Sequence, residues 1–149
     1  MTYHPGAQEF EALDVKNPKI GGAAAMVSVT TAAAAGASNV CDVTYQVVDG
    51  NGDALAGVYQ FQVYLSDAAT GLGLTGTSAS GTVTAKSASG AVVGTYTAKK
   101  SILVQTLADG SFVLEITDTA KTAFYPCAVV PATGLPVVGT VLATADYGA

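Results

Sequence analysis

At 149 residues the chain is long enough for one domain that buries roughly 70% of its unfolded surface without disulfides or metals. Charged residues make up 11% and hydrophobic residues 50%, against about 25% charged in an average soluble protein. Six lysines, no arginine and a net charge of -5 exclude the clustered cations that nucleic-acid phosphates require, and no apolar run approaches the ~18 residues of a membrane helix. So little charge points to an outside covered by other subunits.

Residues 1–22 carry neither a helical nor a strand period, and Pro5, Gly6, Pro18, Gly21 and Gly22 punctuate them. The sequence predicts an extended N-terminal arm over 1–22 ahead of a single β-sandwich domain over 23–149. Tyr3, Phe10, Leu13, Val15 and Ile20 are expected to be its protein-contacting residues, since a merely solvated tail has no use for apolar teeth. The first residues lack the basic stretch and apolar core of a secretory signal, so synthesis and folding in the cytoplasm are expected. His4 is the only histidine. It sits in the arm beside Pro5 with no local carboxylate to orient it, so no Ser/His/Asp or Cys/His site is expected. The chain is read as non-enzymatic, with no catalytic residue, no metal ligand and no cofactor.

After an alanine-rich stretch, residues 26–30 read as a first strand. The sharpest signal follows: run 43–48, the turn Asp49-Gly50-Asn51-Gly52-Asp53, and run 58–65. Side chains alternate across a strand, so Val43, Tyr45 and Val47 share one face of the first run, and Tyr59, Phe61, Val63 and Leu65 one face of the second. Thr44, Gln46, Gln60 and Gln62 fall opposite. A sheet with one apolar face needs a second sheet against it. The turn imitates the opening of a calcium loop, but its sixth position is Ala54 and its twelfth Gln60, where that chemistry needs Gly and a bidentate Glu. It is read as a Gly/Asx hairpin turn.

Residues 71–76 read as a loop. The echo Ser78-Ala79-Ser80-Gly81 and Ser87-Ala88-Ser89-Gly90 reads as two turns around a short strand at 82–86. A strand at 92–98 comes next. Runs 102–107 and 112–117 flank Asp109-Gly110, which predicts a hairpin with a type I′ turn that points Phe112, Leu114 and Ile116 inward. Run 123–130 carries Pro126, which cannot donate to a ladder and is expected on an edge or at a bulge. The last strand is expected at 137–143. Eight or so short strands with no convincing helix predict an all-β, two-sheet antiparallel sandwich, immunoglobulin-like or jelly-roll-like.

Cys41 and Cys127 are the only cysteines, too few for a disulfide scaffold and wrongly spaced for zinc. The default is buried thiols acting as small hydrophobes, with a bridge between them the alternative. Asp42 and Glu115 lie on predicted outer faces, where solvated charge is the expected role. Tyr64, Tyr96 and Phe124 are the aromatic residues left for an exposed, sugar-stacking surface.

The phrase over 45–58, with Leu107-Ala108-Asp109-Gly110-Ser111-Phe112-Val113-Leu114 later, resembles the immunoglobulin-like and prealbumin-like modules of bacterial surface proteins and tailed-phage virions. It covers residues 26–145. In surface proteins such modules come as tandem repeats behind a signal peptide, so a single module with an arm is closer to a capsid decoration, or cement, protein of a tailed bacteriophage. That resemblance implies a structural virion protein on the capsid exterior, with the major capsid protein and neighbouring copies of itself as partners and neither nucleic acid nor membrane among them. The alternative is a tail or surface recognition module that binds a host glycan or protein.

Overall fold

A computed structural model describes the backbone of residues 19–20 and 23–24 and all of residues 28–149. The strands among these are β1 (Lys19–Ile20), β2 (Ala23–Ala24), β3 (Ser28–Ala35), β4 (Val40–Val48), β5 (Gln60–Ser66), β6 (Val83–Ala85), β7 (Ala91–Thr97), β8 (Ser101–Gln105), β9 (Ser111–Thr117), β10 (Tyr125–Val129) and β11 (Pro136–Val138). A single 3-10 turn, Thr144–Asp146, is the only helical element among the described residues. Strands β1 and β2 form a short ladder of their own. The other nine form two antiparallel sheets, β3-β4-β9-β6 and β11-β10-β5-β8-β7. The fold is the expected all-β, two-sheet sandwich.

Alternation explains the core. Val43, Tyr45 and Val47 of β4 and Phe112, Leu114 and Ile116 of β9 point from one sheet towards Phe61 and Val63 of β5 in the other, and all eight are at most 1% exposed. Tyr45 stands opposite Phe112 and Val43 opposite Leu114, so the inward residues form cross-strand pairs. The Tyr45 ring lies 6.3 Å from Phe61 and 6.2 Å from Phe112, centroid to centroid, which knits the two sheets together. Burying each such side chain stabilises the fold by roughly 1.5–3 kcal/mol before ordering costs.

Both expected hairpins are instead crossings between the sheets. At the first turn Asp49 N–H donates to the Asp53 carbonyl at 3.0 Å and Leu55 N–H to that of Val47 at 2.9 Å, so the chain does reverse. It then leaves β4 and opens the other sheet at Gln60, two residues later than expected, with Val58 still 59% exposed. At the second, Gly110 N–H donates to the Leu107 carbonyl and Leu107 N–H to that of Ser111. Only Gly110 has positive φ there, 80°, whereas a type I′ turn needs it at both central residues; this is a three-residue loop closed by a glycine bulge. The flanking strands cannot pair with one another because β8 is held between β5 and β7 and β9 between β4 and β6.

Four further expectations change. The first strand runs on through the alanines to Ala35. Strand β10 is internal, between β11 and β5, and tolerates Pro126 because the side that lacks an N–H faces Gly139, just past the last pair of the three-residue β11, where the Pro126 carbonyl still accepts from Gly139 N–H, so the missing donor falls beyond the end of that ladder. The last strand stops at Val138, and the segment beyond it follows the sheet through Leu142 N–H donating to the Phe124 carbonyl, which places Leu142 in the core. Tyr64 and Phe124, expected at the surface, are buried, while Tyr96 is 62% exposed.

Candidate interaction surface

Tyr3, Phe10, Leu13 and Val15 lie outside the described residues, as do the side chain of Ile20 and His4. The surface of the sandwich itself is therefore where a site can be built. Its two outer faces differ in chemistry.

The outer face of the four-stranded sheet carries charge. Asp42 and Glu115 are directly opposed on β4 and β9, cross-strand neighbours that the register between distant strands brings together. The Lys86 ammonium pairs with Asp42. The hydrogen bond and charge of Asp42 raise the lysine pKa, partly opposed by desolvation and with a smaller push from Glu115. Asp42 Oδ1 is buried without a partner. The pair sits on an open sheet face with one carboxylate already neutralised, which suits a structural ion pair better than acid–base work.

The outer face of the five-stranded sheet carries none. Its outward positions are Gln60, Gln62 and Tyr64 on β5, Ser101, Leu103 and Gln105 on β8, and Tyr125, Cys127 and Val129 on β10, flanked by Pro136 and Val138 of β11 and the bulged β7. Amide ladders cross it: Gln60 donates to Gln105 at 2.9 Å and Gln62 to Ser101 at 2.7 Å. Loop 67–76 folds over one end, held by Tyr64 Oη donating to the Gly71 carbonyl at 2.6 Å and by Asp67, which accepts from Thr75 and Gly76. Leu72 and Leu135, 77% and 67% exposed, rise on the loops either side of a shallow cleft of about 280 Å³ floored by Gln62 and Tyr64. Val93 and Tyr96 are exposed on the bulged edge strand β7, and the platform is broad and partly apolar, uncharged on its strands and with Asp67 on the loop at one end.

The cysteines are free and buried. Cys41 faces the core beside Val43, whereas Cys127 pairs with the outward-pointing Tyr64. The two thiols thus lie on opposite sides of the five-stranded sheet and cannot bridge. Burial, reinforced by Asp146 and Asp42, pushes the Cys41 thiol up to about 12, so it is protonated and unreactive.

The Asp49 turn uses its carboxylate on itself: Oδ1 accepts from Asn51 N–H at 2.8 Å and Asp53 N–H at 3.1 Å. Among the described residues no three His, Cys, Asp or Glu side chains converge as metal ligands, and no helix is long and apolar enough to cross a membrane. The neutral platform was legible in the uncharged alternation of runs 58–65 and 102–107, once their shared sheet is known. Comparison with protein-family models, with curated proteins and with solved structures finds no match to this chain.

Proposed function

We propose that the protein is a non-enzymatic structural component of a virion, bound to the outside of a phage capsid, where it cements neighbouring major capsid subunits. The observation that carries this reading is the outer face of the five-stranded sheet, which holds no charged side chain at any paired position. A face without charge loses little on desolvation and suits a broad contact with another protein surface. Many copies on one shell convert individually weak contacts into firm attachment. The rival recognition reading is weakened by the burial of Tyr64 and Phe124, which leaves Tyr96 as the exposed ring of the three.

The test uses purified protein and expanded heads of the virus that encodes it, with occupancy counted by cryo-electron microscopy. The native chain is expected to decorate the shell in a symmetric array. The double substitution Leu72→Asp and Leu135→Asp should lower affinity at least ~10-fold without unfolding the sandwich, because both side chains are largely exposed and desolvating two new carboxylates opposes binding. Absence of head binding, with binding to a host glycan on an array instead, overturns the cement reading in favour of the recognition module.

A further inference from the structure

We propose that strand β3 is a self-association edge, along which two copies of the chain pair antiparallel about a twofold axis near Ala33, joining their four-stranded sheets into one. This pairing does not depend on capsid binding.

An open sheet edge is a template for strand addition unless it is protected, and the four edges here are unequal. Strands β6 and β11 are three residues each, and β11 begins with Pro136. Strand β7 is broken by two register shifts. Strand β3 has eight residues in unbroken register with β4 and contains no charge, no proline and no bulge. Val47 N–H bonds towards β9, at Gly110, so the odd-numbered residues of β4 serve that side and the even-numbered ones bond β3. By the register of Ala32 with Thr44 and Ala34 with Asp42, the even residues of β3 face β4. The N–H and C=O groups of Thr31, Ala33 and Ala35 then point away from the sheet, and no described residue bonds them.

The chemistry of the edge selects a second copy. Antiparallel pairing of a strand with itself is self-complementary, each outward N–H meeting an outward C=O; with Ala33 on the axis, Thr31 lies opposite the partner's Ala35. No charged residue occurs between Lys19 and Asp42, so the strand itself brings no like charges together; the one carboxylate lining the cleft beside it, Asp146, is turned to its own 3-10 turn, where it accepts from Ala143 N–H. The nearest charges on the outer face, Asp42 and Lys86, already neutralise one another. Ala32 to Ala35 are exposed and small, and beside them lies a cleft of about 300 Å³ between Thr31, Ala33, Pro126, Thr140, Val141 and Asp146, so among the described residues no bulky side chain fills the space beside the strand. One strand pair buries less than the ~1,200 Å² of a stable complex. The association is therefore weak in solution and strengthens where copies lie side by side.

Sedimentation and amide hydrogen exchange of the full chain across a concentration series test this. The expected result is a monomer–dimer equilibrium in which the Thr31, Ala33 and Ala35 amides gain protection in step with dimer formation, while those of Ala32 and Ala34 are protected throughout. Ala33→Pro removes an outward donor without touching a β3–β4 bond and should weaken association at least ~10-fold. Ala32→Lys, which stands opposite Thr44 and not Asp42 and places like charges across the axis, should do the same and serves if the proline disturbs folding. A monomer whose outward amides exchange freely at every concentration overturns the proposal. So does a monomer whose outward amides are protected, since the chain's own N-terminal segment would then cover the edge. A dimer indifferent to both substitutions overturns it too, by placing the interface elsewhere.

Discussion

Two buried polar residues show opposite solutions to the same problem. The Tyr45 hydroxyl sits among Phe61, Phe112 and the rest of the core without a hydrogen-bond partner, and burial raises its pKa. Removing the hydroxyl while keeping the ring relieves an unsatisfied group, so Tyr45→Phe is expected to leave the protein as stable or to stabilise it by up to ~1–3 kcal/mol in urea unfolding. Asp118, 1% exposed, is fully provided for: Oδ1 accepts from Ser80 and Ala120 and Oδ2 from Thr122 N–H at 2.9 Å. Burial opposes its charge, but the hydrogen bonds from Thr122 and Ser80 win and lower its pKa from 3.8 to about 2. A folded-state pKa below the unfolded one stabilises above the unfolded value and loses that contribution as pH falls. On the order of 2 kcal/mol should disappear as pH drops from about 3.8 to about 2, and unfolding curves of Asp118→Ala should lack that part of the acid slope.

Each turn decides which sheet the chain enters next. Gly110 is the hinge of the β8 to β9 crossing: its φ is 80°, and a Cβ there would be driven into the Leu55 carbonyl oxygen, which belongs to the other crossing. Gln46 ties the same region together by donating to the carbonyls of Val47 and Asp109, 3.1 Å each. The two crossings therefore pack on one another. Gly110→Ala combines left-handed strain with a backbone clash and is expected to cost more than ~1 kcal/mol, read as a lower urea midpoint at unchanged slope. Gly52 also has positive φ, 85°, but meets nothing within 4 Å, so Gly52→Ala should cost less.

The described residues form a sandwich with one charged sheet face, one sheet face without charge and one long edge, β3, that no other described residue pairs. Among the described residues the core cluster begins at Val29. Deleting residues 1–18 is expected to move the melting temperature by less than ~4 °C, the shift that about 1 kcal/mol produces in a domain of this size. If residues 1–18 form the contact arm, the truncated protein should still bind heads far more weakly than the full chain; equal occupancy would leave the neutral sheet face as the whole interface. A fall in melting temperature well beyond that range would instead show that the segment belongs to the fold.

The apolar side of each run was legible residue by residue, because a period of two depends only on neighbours in the chain. Val43, Tyr45, Phe61, Leu114 and Ile116 are inside as the alternation of their own strands requires. Which strand lies beside which was not legible, since a turn reports that the chain reverses and carries no record of which sheet edge is still free. Asp109-Gly110 looks the same whether its flanks pair or part. Tyr64 and Phe124 show the same limit. Tyr64 does point outward from its sheet, and is buried only because loop 67–76 folds back over it with Gly71 accepting its hydroxyl; Phe124 is buried by the return of residues 139–142. The facing of Asp42 on Glu115 and the place of β3 at the edge of its sheet are likewise matters of register and sheet order, set by packing between segments far apart in sequence.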